Sequence, residues 1–144
     1  MIYLLDVNVL IALIDPAHIA HDAAHRWFVA HGQVAWATCP ITENGVIRIV
    51  SHPGYPNTPG SPALVGDILG QMCALPGHRF LPDDISLVSD ARFDRAQLLT
   101  HAQVTDSYLL ALAAAHGGRL ATFDRKLLTN AVRGGAAAVH VIDA

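Results

Sequence analysis

Short apolar runs of strand length alternate along this chain with longer stretches whose apolar residues recur at helical spacing. Ile2 to Leu5 is an apolar run of the kind found in a buried parallel strand, closed by Asp6. Val7 to Ile14 predicts a helix that Asp15-Pro16 interrupts, and Ala17 to His31 predicts a second one, ended by Gly32. Gln33 to Cys39 is short and β-rich, and Pro40 suits the first turn of a helix through Glu43, Ile47 and Val50. Ser51 to Pro62 holds four prolines and two glycines and predicts a loop. Ser61-Pro62 then reads as an N-cap followed by a first-position proline. Leu64, Val65, Ile68, Leu69, Met72 and Leu75 repeat at helical spacing until Pro76-Gly77. Beyond it, Arg79–Leu81 predicts a strand, Ser89–Thr100 a helix, and Asp106–His116 a helix stopped by Gly117-Gly118. Arg119–Phe123 predicts a strand, Arg125–Ala131 a helix and Val139–Ile142 a last strand.

Strands alternating with helices imply an α/β protein of three layers: a parallel sheet of about four to five strands with helices on both faces. With 144 residues, no internal repeat and no visible linker, a single domain over 1–144 is expected. In such sheets the strand carboxyl ends share one edge, and ligands bind there, where strand order reverses. Three carboxylates belong on that edge. Asp6 and Asp124 close apolar runs, and Glu43, the one glutamate in the chain, follows another. Asp106 opens the apolar stretch from Tyr108 to Ala115 and needs only suitable packing to join them.

Composition narrows the possibilities further. The chain is 52% hydrophobic and 15% charged, which excludes intrinsic disorder. A formal charge of −3 argues against a simple nucleic-acid-binding module, which needs a basic footprint. It does not argue against a metal-dependent nuclease, whose acids are neutralised by bound cations. Cys39 and Cys73 show no metal or disulfide spacing and read as reduced, buried residues. No apolar stretch reaches the roughly 20 residues of a membrane span, and MIYLLD has no basic leader, so a cytoplasmic protein without membrane contact is expected.

Carboxylates about 4 Å apart repel by roughly 4 kcal/mol at an effective dielectric near 20. A shared pocket would therefore be protonated unless a cation compensated, and Mg²⁺ or Mn²⁺ suits an all-oxygen ligand set. Strand-then-Asp also occurs at Val141-Ile142-Asp143, a chain end, and aspartates favour turns and caps for local reasons. Spacing alone thus leaves two readings open, a joint metal site or separate caps.

Four short motifs carry a resemblance. Asp6-Val7-Asn8-Val9-Leu10 is similar to the opening Asp-x-Asn motif of PIN-domain ribonucleases, and Thr42-Glu43 before a helix resembles their second acidic motif. Thr105-Asp106-Ser107-Tyr108-Leu109-Leu110-Ala111-Leu112-Ala113 resembles the third, and Ala121-Thr122-Phe123-Asp124 the fourth. Their order and spacing over essentially the whole chain resemble the VapC toxin family of type II toxin–antitoxin pairs. The resemblance implies a Mg²⁺- or Mn²⁺-dependent endoribonuclease acting on structured RNA, such as tRNA or ribosomal RNA. It also implies a homodimer inhibited by a VapB-like antitoxin that places a basic side chain in the acidic pocket. Carried over by position, Asp6, Glu43, Asp106 and Asp124 would hold the metal and form the catalytic set. Asn8 and Thr122 would support them by hydrogen bonds. The Pro/Gly loop before Ser61 is left unmatched to the family's residues.

Other residues carry weaker signals. His18, His21 and His25 fall near one helix face and read as a solvated or interface surface in preference to a metal site. Trp27 and Phe28 read as core or dimer contacts before a nucleobase platform. Arg48, Arg119, Arg125, Lys126 and Arg133 are candidate phosphate contacts, with Arg125 and Lys126 beside Asp124. His101 is as well suited to packing as to positioning RNA. Ser107 has no GxSxG elbow, and neither GxGxxG nor GxxxxGK[ST] occurs. Two other functions compete: a PIN fold that binds RNA or protein without cutting, and a phospho-accepting receiver. The receiver needs a lysine at the end of a late strand, whereas the single lysine, Lys126, follows Asp124.

Overall fold

The computed structural model describes all residues from Met1 to Ala144. Five short strands form one sheet in the order β3-β2-β1-β4-β5, and every pairing is parallel. They are β1 (Tyr3–Leu5), β2 (Trp36–Thr38), β3 (His78–Phe80), β4 (Arg119–Thr122) and β5 (Val139–Val141). The helices are α1 (Val7–Ile14), α2 (His21–Trp27), α3 (Pro40–Val50), α4 (Pro62–Cys73), α5 (Gln103–Ala115) and the single turn α6 (Gly135–Ala138). No helix is long and apolar enough to cross a membrane.

Alternation along the strands divides the core between the two sheet faces, as a pleated strand requires. Leu5, Trp36 and Ala121 join one cluster with Val9 and Leu10 of α1, Ala24 of α2, Val46 of α3 and Val65 of α4. Leu4, Ala37 and Leu120 join the other, with Leu109 to Ala113 of α5 and Ala138 of α6. Three layers and a five-stranded parallel sheet agree with the α/β reading. The chain runs outward from β1 through β2 to β3, then returns to the opposite side of β1 with β4. Strand order therefore reverses between β1 and β4, at the ends that carry Asp6 and Asp124.

Several elements differ from expectation for local reasons. Residues 89–100 form turns with one 3₁₀ turn at Arg95–Gln97 instead of a helix. Their backbone bonds run across to the segment before α6: Asp94 N donates to Ala131 O, Arg133 N donates to Arg92 O, and Phe93 bridges Val132. The Asp90 carboxylate takes the Arg92 amide and guanidinium, a local bond that competes with helix. Residues 125–131 are likewise not helical, because Asp124 Oδ1 accepts the Lys126 amide in a tight turn. α2 starts at His21, since Asp15 and His18 hold the Ala17 and Ala20 amides in turns, and it ends in a π-helical turn at Phe28–Gly32.

The histidines of α2 are put to structural use. His21 Nδ1 and His25 Nε2 donate to Ala12 O and Leu13 O, at 2.7 and 3.0 Å, and so satisfy carbonyls at the end of α1. Trp27 and Phe28 are buried, and Trp27 Nε1 donates to His140 Nε2 at 3.0 Å. The proline-rich loop is tied down where Tyr55 donates to the buried Asp15 carboxylate.

Gly77 sits at φ +91°, and a Cβ there would lie 2.3 Å from Gln33 O. Gly77→Ala is expected to destabilise the chain by at least about 1–3 kcal/mol, the usual cost of one strained backbone position. A urea midpoint unchanged from wild type would contradict the placement of β3 against the β2 approach.

Candidate active site

Asp6 is where β1 becomes α1. Its amide donates to Ala121 O, and its carbonyl accepts from Val9 and Leu10, so the residue ends the sheet ladder and starts the helix. Its side chain caps α1, Oδ1 accepting from Val7 N at 2.8 Å. Oδ2 accepts from the Thr122 hydroxyl at 2.8 Å, across 116 residues of sequence. Only 8% of Asp6 is exposed.

Thr122, the last residue of β4, is fully buried and joins the site together. Its Oγ1 donates to Asp6 and accepts from Asn8 Nδ2 at 3.2 Å and from Asp124 N at 3.1 Å. Asn8 completes the link by accepting from Phe123 N at 3.3 Å. The two residues of the Asp-x-Asn segment and the two of Thr-x-Asp thus meet at one threonine hydroxyl.

Asp106 lies half-buried in the first turn of α5. Burial pushes its carboxyl up to about 6, and the charges of Asp6 and Asp124 push the same way. Asp6 is also raised, chiefly by burial and least by Asp124, against the lowering effect of its bonds to Thr122 and Val7. The charges of Asp6 and Asp124 thus reach Asp106, and that of Asp124 also reaches Asp6.

Glu43 is the member the structure does not bring to them. Its carboxylate accepts from the Thr38 hydroxyl at 2.6 Å and lies beside Cys73 and His78, on the β2–β3 side. The reason is helical phase. Pro40 and the Cys39–Thr42 capping box start α3 so that Ile41, Asn44, Gly45 and Arg48 face the cavity beside Asp6 and Asp106. One residue rotates the side chain by roughly 100°, which turns Glu43 away. Asn44, absent from the sequence reading, takes the cavity position. Its spacing from Ile41 and Arg48, at i−3 and i+4, was the available signal. Gly45 permits the approach, since a Cβ there would come within 2.9 Å of Val7 Cγ2.

That open cavity has a volume of about 880 Å³, with Asp6, Asp106, Asn44, Arg48 and Thr105 on its wall. Asp106 also borders a smaller hollow of about 170 Å³ shared with Asp124 and Lys126. Arg48 and Lys126 thus flank the aspartates on either side. Arg125 instead pairs with Asp143 at 2.7 Å, and Arg133 donates to Ala91 O. Arg119 begins β4, at the opposite end of the strand from Thr122. Ser107 is fully buried, which removes it as a nucleophile.

A parallel sheet whose reversal point carries hydrogen-bonded Asp-x-Asn and Thr-x-Asp segments, with a third aspartate facing them from α5, defines a family. The chain belongs to the PIN-domain family, whose profile matches residues 3–132. It is 47% identical to Ribonuclease VapC39 of Mycobacterium tuberculosis over 134 residues, which cover 93% of this chain and 96% of that protein. It is 44% identical to Ribonuclease VapC44 of the same organism over 131 residues, covering 91% and 92%. Ribonuclease VapC38 is 43% identical over 126 residues, covering 88% and 87%. Within the PIN domains the chain stands with the VapC proteins.

Proposed function

We propose that this chain is a VapC-type ribonuclease toxin, a Mg²⁺- or Mn²⁺-dependent endoribonuclease directed at structured RNA such as tRNA or ribosomal RNA. The observation that carries the reading is the meeting of Asp6, Asn8 and the Asp124 segment at the buried Thr122 hydroxyl, at the sheet's reversal point, with Asp106 lining the same cavity as Asp6, in a chain so similar to proteins named ribonucleases. An all-carboxylate donor set fits a hard divalent cation. The oxygens of Asp6, Asp106 and Asp124 do not all lie within 4.8 Å of one another, a condition met only by Glu43, Cys73 and His78. This spread suits Mg²⁺, which is commonly held through one or two carboxylates with several waters retained. When bound, such an ion activates water and neutralises charge developing on the scissile phosphate.

The chain's own residues do the rest. Val7 N and the Thr122 hydroxyl fix both oxygens of Asp6, so its orientation is set before a ligand arrives. Asp106 and Asp124 complete the acidic cluster, while Asn8 keeps the two strand ends together. Arg48 and Lys126 are placed to bind phosphates on either side of the cut. Glu43 stands outside this set. A VapB-like antitoxin that inserted a basic side chain among the aspartates would satisfy the same charges and block the site. A homodimer and a larger toxin–antitoxin assembly are the expected states.

Thr122→Ala should lower cleavage about 10- to 100-fold, the usual effect of removing a hydrogen bond that orients a ligand, and Thr122→Ser should restore most of it. Equal rates for Thr122→Ala and wild type across a Mg²⁺ titration would overturn this role. The substrate class is tested by sequencing RNA ends after induction of wild type and of Asp6→Asn. New ends confined to a few structured RNAs support the proposal. Ends scattered evenly over all transcripts, or equal in both proteins, count against it.

A further inference from the structure

Glu43, Cys73 and His78 form a second cluster, away from the aspartates, whose ligand-type atoms all lie within 4.8 Å of one another. They converge from the start of α3, the end of α4 and the start of β3. A single buried hydroxyl joins two of them. Thr38 Oγ1 donates to Glu43 at 2.6 Å and lies 2.8 Å from His78 Nε2. Glu43 is in no ion pair, so a half-buried carboxylate stands here without a compensating cation from the chain.

We propose that Glu43, Cys73 and His78 bind a thiophilic divalent cation of the zinc class, separately from the aspartate site. A thiolate, an imidazole and a carboxylate are all zinc ligands, and three of them leave a fourth position for water. The same set is poorly matched to Mg²⁺, which prefers oxygen. Binding forms a sulfur–metal bond and releases the thiol proton to solvent, with no change of oxidation state. The ion balances the Glu43 carboxylate and the new thiolate. It also fastens the end of α4 and the start of β3 to α3, the helix whose other face carries Asn44 and Arg48 into the cavity.

Cobalt(II) is the probe, because thiolate ligation gives it a charge-transfer absorption that carboxylates do not. With the Asp6→Asn/Asp106→Asn protein, in which the aspartate site is disabled, we expect about one equivalent of Co²⁺ to bind with that band. Zn²⁺ should displace it. Cys73→Ser in the same background should lose the band. In unsubstituted protein, Zn²⁺ should slow iodoacetamide labelling of Cys73 at least about tenfold, a readout that needs no variant to fold. Absence of the band at stoichiometric Co²⁺ overturns the proposal, as does a band surviving Cys73→Ser, or labelling indifferent to Zn²⁺. Neither readout depends on RNA cleavage, so the ribonuclease reading stands or falls independently.

Discussion

Asp6→Asn is expected to reduce metal-dependent RNA cleavage to background while leaving the fold intact. The substitution keeps size and planarity, and the new amide oxygen can still accept from Val7 N, so the cap on α1 survives. What is lost is the acceptor that Oδ2 offers the Thr122 hydroxyl and, above all, the negative charge at the most enclosed of the three aspartates. That charge is unwelcome in the metal-free protein, since burial raises the Asp6 carboxyl above its ordinary range. Its removal should leave the melting temperature unchanged or raised, the opposite of what loss of a structural carboxylate gives. A folded Asp6→Asn protein with wild-type cleavage would remove Asp6 from the reaction. A protein that failed to fold would point to a purely structural role.

Asp106→Asn should abolish cleavage too, and it should reveal what the site costs the fold. The Asp106 carboxyl sits at about 6 when folded, against an ordinary value of 3.8. Between those values the folded chain holds a proton that the unfolded chain has released, so this group's contribution to stability falls as pH rises from about 4 to above 6. At pH 7 the folded metal-free protein carries the full penalty. Melting curves of wild type minus Asp106→Asn should therefore decline through that window, with the variant relatively more stable at neutral pH. Mg²⁺ should recover the loss in wild type, more at pH 7.5 than at pH 5, because binding competes with protonation. A difference curve flat between pH 4 and 7 would show that Asp106 is neither desolvated nor held among like charges. Burial and repulsion of carboxylates relieved by a cation is a familiar trade of stability for function.

The strand-to-acid junctions were legible because two independent rules coincide there. An apolar run of strand length ends at a residue that favours caps, and parallel topology sends all such ends to one edge. Asp6 and Asp124 followed from this, and the Thr122 bridge between them agreed with the family motif. Glu43 did not follow, because reaching the right edge does not fix the phase of the helix that begins there. The capping of α3 by Cys39 and Thr42 decides whether residue 43 or 44 faces the cavity. The segment from Ser89 to Thr100 was misread as helical since its partner, residues 131–133, is distant in sequence. Likewise His21 and His25 looked like a polar helix face, whereas the carbonyls they satisfy belong to the preceding helix.

Cleavage of total cellular RNA by the purified chain, followed as EDTA strips divalent ions and Mg²⁺ or Mn²⁺ is restored, bears most directly on the aspartate site. Cutting should stop in EDTA and return with either ion in wild type, but not in Asp6→Asn. Undiminished cutting in EDTA, or equal recovery in Asp6→Asn, would contradict a cation held by Asp6, Asp106 and Asp124.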